Sequence, residues 1–148
     1  MKKRLMILAV VAVCAVSFAG CGEKNYADGV YTGKSQEYIN DEDDSVAGNG
    51  YGEVTITIEN STITDCVFKT FELDGTEKDE NYGKENGEIK NKDFYNKAQK
   101  ALAACEKYAE QLVEKGSVEE IDAISGATVN YNEFVEAVDD ALNSAETE

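Results

Sequence analysis

The sequence predicts an α+β fold: a small antiparallel sheet with a β-hairpin, packed by a long helix and a short C-terminal helix. Three observations carry this. Val54, Ile56 and Ile58 alternate with Thr55, Thr57 and Glu59, and a second extended run, Thr62 to Phe71, follows the turn Glu59-Asn60-Ser61. Phe94, Ala98, Leu102, Cys105, Ala109 and Leu112 recur at helical spacing and form one apolar stripe. Phe134, Val135, Val138 and Leu142 repeat that pattern over a shorter span.

The chain opens on an export signal. Lys2, Lys3 and Arg4 precede the unbroken apolar run Leu5 to Val16, and Ser17-Phe18-Ala19-Gly20 leads to Cys21. The apolar run is short for a membrane span. Small residues directly before a cysteine resemble the bacterial lipobox, which implies that residues 1–20 are removed and Cys21 is lipidated; the alternative is a soluble secreted protein cut near Ala19. Residues 21–27 then form a lipidated N-terminus and short spacer.

Asp28-Gly29-Val30-Tyr31-Thr32-Gly33 reads as a turn entering a first short strand. Asp41, Glu42, Asp43 and Asp44 read as a solvated acidic loop. A calcium loop beginning there would need glycine where Val46 stands and glutamate where Gly52 stands. After the hairpin, residues 72–91 are polar apart from Leu73, Tyr82 and Ile89; so long a connection is functional or disordered. The long helix spans 92–115, with Asn91 or Asp93 as its cap and Gly116 as its stop. Ser117 is a cap for the link that follows, and residues 144–148 form a polar, fraying tail.

Composition restricts the chemistry. The 148 residues carry a formal net charge of −16. Loss of residues 1–20 removes three basic side chains and no acidic one, leaving 11 basic against 30 acidic, a balance of −19. Such a surface repels nucleic acid and anionic lipid headgroups alike. There is no histidine, which removes the usual triads, the usual general base and most transition-metal sites. Of the four cysteines, Cys66 and Cys105 remain beside Cys21 in a mature chain, either as a disulfide or as two small buried hydrophobes. Chemistry in such a chain belongs to a cofactor.

Asp122-Ala123-Ile124-Ser125-Gly126-Ala127-Thr128 lies between the two helical patterns. Gly126 and Ala127 allow a ligand close to the backbone, and Ser125 and Thr128 supply hydroxyls. Asn130 with Glu133 resembles a capping box, which places the last helix start at Tyr131 with its positive end toward Thr128. A phosphate on Thr128 would sit at that start; the alternative is a tight turn with no ligand.

Asp-x-x-Ser-Gly-Ala-Thr before a short amphipathic helix resembles the FMN-binding domain family. That family includes the C subunit of the sodium-translocating NADH:quinone reductase, the G subunit of the Rnf complex and small extracytoplasmic flavolipoproteins. Asp28 to Gly33 and the strand Gly52 to Ile58 agree with it. The resemblance implies an FMN-binding domain over residues 28–144, with 145–148 as a tail. It implies that a flavin transferase joins the FMN phosphate to the Thr128 hydroxyl, with Asp122 opening the motif and Ser125, Gly126 and Ala127 completing the cofactor site. Many members carry Ser or Thr where this chain has Asn130, and all three are favoured helix caps. Tyr31, Tyr51 and Tyr82 are candidates to pack on the flavin ring.

The expected function is electron transfer by a lipid-anchored protein on the extracytoplasmic face, between a membrane donor and an external acceptor. No catalytic residues and no metal site are expected. The alternatives are a surface lipoprotein holding FMN or another ligand non-covalently, and a flavin subunit acting only inside a larger complex.

Overall fold

Alternation of branched apolar and polar side chains builds the sheet, and two apolar helix stripes cover one of its faces. These elements were described in a computed structural model, over residues 25–41 and 48–147. The export signal, Cys21 and most of the acidic run (Glu42, Asp43, Asp44) lie outside the described residues. The strands are β1 (Gly29–Lys34), β2 (Tyr51–Glu59) and β3 (Thr62–Phe71). They form an antiparallel sheet in the order β1-β2-β3. Asn60 and Ser61 both take positive φ (52° and 58°), the mirror-image turn that matches the twist of a tight hairpin. Helices α1 (Lys92–Lys115) and α2 (Thr128–Ala145) complete the α+β fold that the pattern predicts.

Val54, Ile56 and Ile58 of β2 and Ile63, Cys66 and Phe68 of β3 point into the core. Helix α1 lies over β3, and α2 over β1 and β2. Tyr108 of α1 and Phe134 of α2 are fully buried and stack with ring centroids 5.8 Å apart; Phe68 meets Phe134 edge-on at 4.9 Å. The backbone of α2 comes so near β1 that a Cβ on Gly33 would lie 2.0 Å from the Ala137 carbonyl oxygen. Helix α2 also caps the end of the outer edge of β1: the Lys34 amide donates to Asp140 Oδ2 (3.0 Å) and, just past the strand, the Gln36 amide to Glu136 Oε2 (2.9 Å).

Helix α1 starts and stops as expected, with the Asn91 side chain accepting from the Phe94 amide and Gly116 donating to the Leu112 carbonyl. Ser117 caps the 3-10 turn Val118–Glu120. One expectation changes, and two open alternatives are decided. The C-terminal tail does not fray: Ala145 is buried, its carbonyl accepts from the Ala27 amide (2.9 Å), and Thr147 donates to the Asn25 carbonyl (3.0 Å). Residues 72–91 are a series of ordered turns; Glu72 bonds to Thr76, and the Lys78 amide returns to the Thr70 carbonyl (2.8 Å). Cys66 and Cys105 are free and buried, with no disulfide. Burial pushes both thiols up to about 12, so neither is a ready thiolate.

Glu133 is the most unusual group in the core. It is 3% exposed, and neither carboxyl oxygen has a hydrogen-bond partner. Burial pushes its carboxyl up to about 7, against the opposing pull of the Lys78 ammonium. A carboxyl whose folded-state pKa is raised stabilises the fold fully below its ordinary value and loses that contribution as pH climbs through the raised one. The loss for Glu133 falls between pH 4.5 and about 7 and amounts to no more than about 3 kcal/mol. Urea denaturation across that range is expected to show the wild type losing stability relative to Glu133→Gln. Parallel pH profiles for the two proteins would show that Glu133 carries no such cost.

Candidate functional site

The motif is built from the α1 side first. Tyr108 lies on the apolar stripe of α1, so its ring is carried into the core and its hydroxyl needs a partner there. It finds two on the motif. The Tyr108 hydroxyl accepts from the Ile124 amide (3.0 Å) and donates to the Ala127 carbonyl (3.2 Å). Between those two points the chain makes a tight turn, with the Ala127 amide donating to the Ile124 carbonyl (3.0 Å). Gly126 takes φ 85°, the positive value that a type II turn requires at its third residue. A Cβ on Gly126 would meet nothing within 4 Å, so the turn faces open space.

Asp122 stands at the entry to this turn and is held by the last turns of α1. Its amide donates to Gln111 Oε1 (2.9 Å), and its carboxylate accepts from Lys115 Nζ (2.9 Å). Lys115 also donates to the Glu120 carbonyl and favours the carbonyl end of α1. Asp122 is therefore an exposed brace between motif and helix. Its carboxylate is bound to Lys115, whereas the Thr128 hydroxyl has no partner among the described residues.

The helix start differs from the expected one. Helix α2 begins at Thr128, three residues before Tyr131, and its cap is Ala127, which has no side chain able to bond the first amides. The Tyr131 amide already closes the first helical bond to the Ala127 carbonyl (2.9 Å). Asn130 is inside the helix and does not cap it; its Nδ2 donates to Cys105 Sγ (3.4 Å) across to α1. Glu133 does not reach back as a capping-box partner, because its side chain is buried. The physical reason is the Tyr108 clamp, which fixes Ala127 where its carbonyl can start the helix.

The structure thus brings Ser125, Gly126, Ala127 and Thr128 together in one turn and helix start. Ser125, Gly126 and Thr128 are exposed, and Ala127 is buried as the anchor. Beside an exposed threonine hydroxyl lies a helix end whose first amides no side chain caps, an arrangement suited to an anionic group. The suggested ring-packing tyrosines are engaged elsewhere. Tyr31 donates to the Ala27 carbonyl, Tyr51 stacks on Phe71, and Tyr82 accepts from the Gly48 amide. The aromatic residues beside the motif are instead Tyr108 and Tyr131, edge-on at 5.7 Å. Tyr108, Gln111 and Lys115 are the supporting residues that periodicity alone passes over. The available signal was a tyrosine, Tyr108, set between Cys105, Ala109 and Leu112 of the apolar stripe.

Replacing Tyr108 with Phe removes both motif hydrogen bonds, leaving the half-buried Ile124 amide without its partner and the Ala127 carbonyl with the Tyr131 amide alone. The expected cost is about 1–3 kcal/mol in denaturant unfolding. Amide exchange at Ile124 and Ala127 is expected to rise more than at the centre of β2, and uniform loss across the fold would assign Tyr108 to packing alone.

Comparison with known proteins gives a likeness in fold and a family. The chain resembles the CPE2226 protein from Clostridium perfringens in fold, with a TM-score of 0.56 at 20% identity over 81% of this chain and 88% of that one. A protein from Clostridium thermocellum, solved by solution NMR, aligns over 79% of this chain and 90% of its own at 23% identity, with a TM-score of 0.42. A comparison with curated proteins finds no match. The model of the FMN-binding domain matches residues 46–143, which include both hairpin strands, α1, the motif and most of α2; the chain belongs to the FMN-binding domain family.

Proposed function

We propose that this chain is an extracytoplasmic flavoprotein, lipid-anchored to the membrane through Cys21, with FMN joined by its phosphate to Thr128. It carries electrons between a membrane donor and an external acceptor. The observation that carries this reading is the free, exposed Thr128 hydroxyl at a helix start whose first amides no side chain caps, inside the segment that matches the family. That donor set fits a phosphate: one hydroxyl to esterify, neighbouring amides and the helix dipole to offset the charge. Ser125 adds a second exposed hydroxyl, and Gly126 leaves the approach clear. Ala127 and Asp122 act behind them, one fixing the turn to Tyr108 and the other to Lys115.

When bound, FMN supplies one- and two-electron transfer, which suits a carrier between unlike partners. The protein holds the phosphate end rigid and leaves maturation to a flavin transferase. Covalent attachment has a thermodynamic rationale outside the cell, because a reversibly bound cofactor occupies its site only as far as free ligand permits. The export signal and the cysteine that follows it support the anchored location. With a mature balance of −19, the lipid rather than charge would hold the protein at an anionic surface.

Co-expression with a flavin transferase followed by intact-mass measurement tests the attachment. The wild type and Thr128→Ser are expected to gain the mass of one FMN less one water, and Thr128→Ala none. Covalent flavin on Thr128→Ala, or none on the wild type, would refute it. Because Asn130 is spent on Cys105, Asn130→Ser is expected to gain FMN to the wild-type extent.

A further inference from the structure

Each edge of the sheet is bonded at one end. At the β1 edge, Asp140 and Glu136 of α2 take the Lys34 and Gln36 amides, at and just beyond the end of the strand. The β3 edge is closed only at one end, where the Thr70 carbonyl accepts from Lys78. That bond shows that the Thr70 backbone points away from β2. Backbone direction alternates along a strand, so Phe68 and Cys66 point their amides and carbonyls outward as well. The register shift in this hairpin falls at Thr57/Ile58, beyond Cys66, and does not disturb that alternation. Neither residue has a backbone partner outside the hairpin among the described residues.

This open edge lies in a cleft of about 890 Å³ between β3 and the outer side of α1. Its apolar surface comes from Phe68, Leu102, Ala109 and Val113. Its rim is acidic. Glu106, Glu110 and Glu114 stand along α1, exposed and without a bonding partner among the described residues. Glu77, Asp79 and Glu80 line it from the segment after β3. The lysines of the cleft do not balance them: Lys69 is paired with Glu77 (3.0 Å), and Lys78 is buried with its Nζ on the Gly48 carbonyl (3.2 Å).

The cleft is separate from the motif. At 100° per residue, the motif-bonding positions Tyr108, Gln111 and Lys115 lie on one side of α1, and Leu102, Glu106 and Glu110 on the other.

We propose that this cleft is a docking site for an extended, lysine- or arginine-bearing segment of a partner protein, which adds to β3 as a further strand. The Cys66 and Phe68 backbones supply the pairing groups. Alternate side chains of the guest face α1, where apolar ones meet Leu102 and Val113 and basic ones meet Glu106 and Glu110. A second copy of this chain is the wrong occupant: with a net charge of −16 it would bring acid against acid. The site does not depend on flavin, and its occupancy is expected to be the same in flavin-loaded and flavin-free protein.

The test is amide exchange on isotope-labelled protein, using a capped seven-residue peptide, Lys-Thr-Val-Thr-Lys-Thr-Val, whose lysines and valines all fall on one face of the strand. Saturation is expected to slow exchange at Cys66 and Phe68 by about tenfold or more, with affinity falling as salt is raised. The glutamate version of the peptide should not bind, and backbone N-methylation of the lysine peptide should abolish binding. Doubly substituted protein (Glu106→Lys with Glu110→Lys) should reverse the preference, and its substitutions lie on an exposed helix face that the fold tolerates. Unchanged exchange at Cys66 and Phe68 under saturation would overturn the proposal. So would equal binding of the N-methylated peptide, or self-association of the protein through this edge.

Discussion

One phenol orders the region on which the rest depends. The Tyr108 hydroxyl, fully buried, accepts from Ile124 and donates to Ala127. A buried hydroxyl cannot be left without partners at small cost, so core packing of the Tyr108 ring and the shape of the motif turn are a single constraint. The ring is fixed by Phe134 and Tyr131, both from α2. The turn is fixed by the hydroxyl. Where α2 begins follows from both, because the Ala127 carbonyl serves Tyr108 and the first helical bond together. The motif is thus short and exposed in sequence terms, yet it inherits the rigidity of the core beneath it.

The fold was legible because its signals are local and repeated. The alternation of Val54, Ile56 and Ile58 and the stripe from Phe94 to Leu112 each report a face directly, and Asn91 and Gly116 mark helix ends by their own backbone chemistry. The turn of the candidate site was legible to the level of the Ser125-Gly126-Ala127-Thr128 segment, whose glycine and hydroxyls mark a turn between two helical patterns. The helix start was not. Asn130 and Glu133 have the spacing of a capping box, but that reading considers only the local chain. Tertiary contacts took both side chains elsewhere, Asn130 to Cys105 and Glu133 into the core. Tyr108 escaped for the same reason: its importance is in a partner nineteen residues away.

Lys78 and Glu133 show how little a polar composition says about burial. Lys78 comes from a segment that reads as a long polar connection, yet it is 8% exposed. Burial lowers its pKa while the Glu133 carboxylate raises it again. The two charges offset each other only in part, since neither Glu133 oxygen is hydrogen-bonded. The glycines that surround this region admit the backbone closely enough to enclose it; a Cβ on Gly50 would lie 2.7 Å from Lys78 Nζ.

The pairing of residues 25–27 with 145–147 has a geometric consequence. The chain enters the fold beside the last turn of α2, while Thr128 begins the first. Eighteen helical residues at 1.5 Å each separate the two by about 27 Å. The clasp and helix α2 together act as a rigid boom. Anything that holds the chain at its N-terminal side also holds Thr128 at the far end, turned outward at a fixed reach instead of swinging on a loose leash.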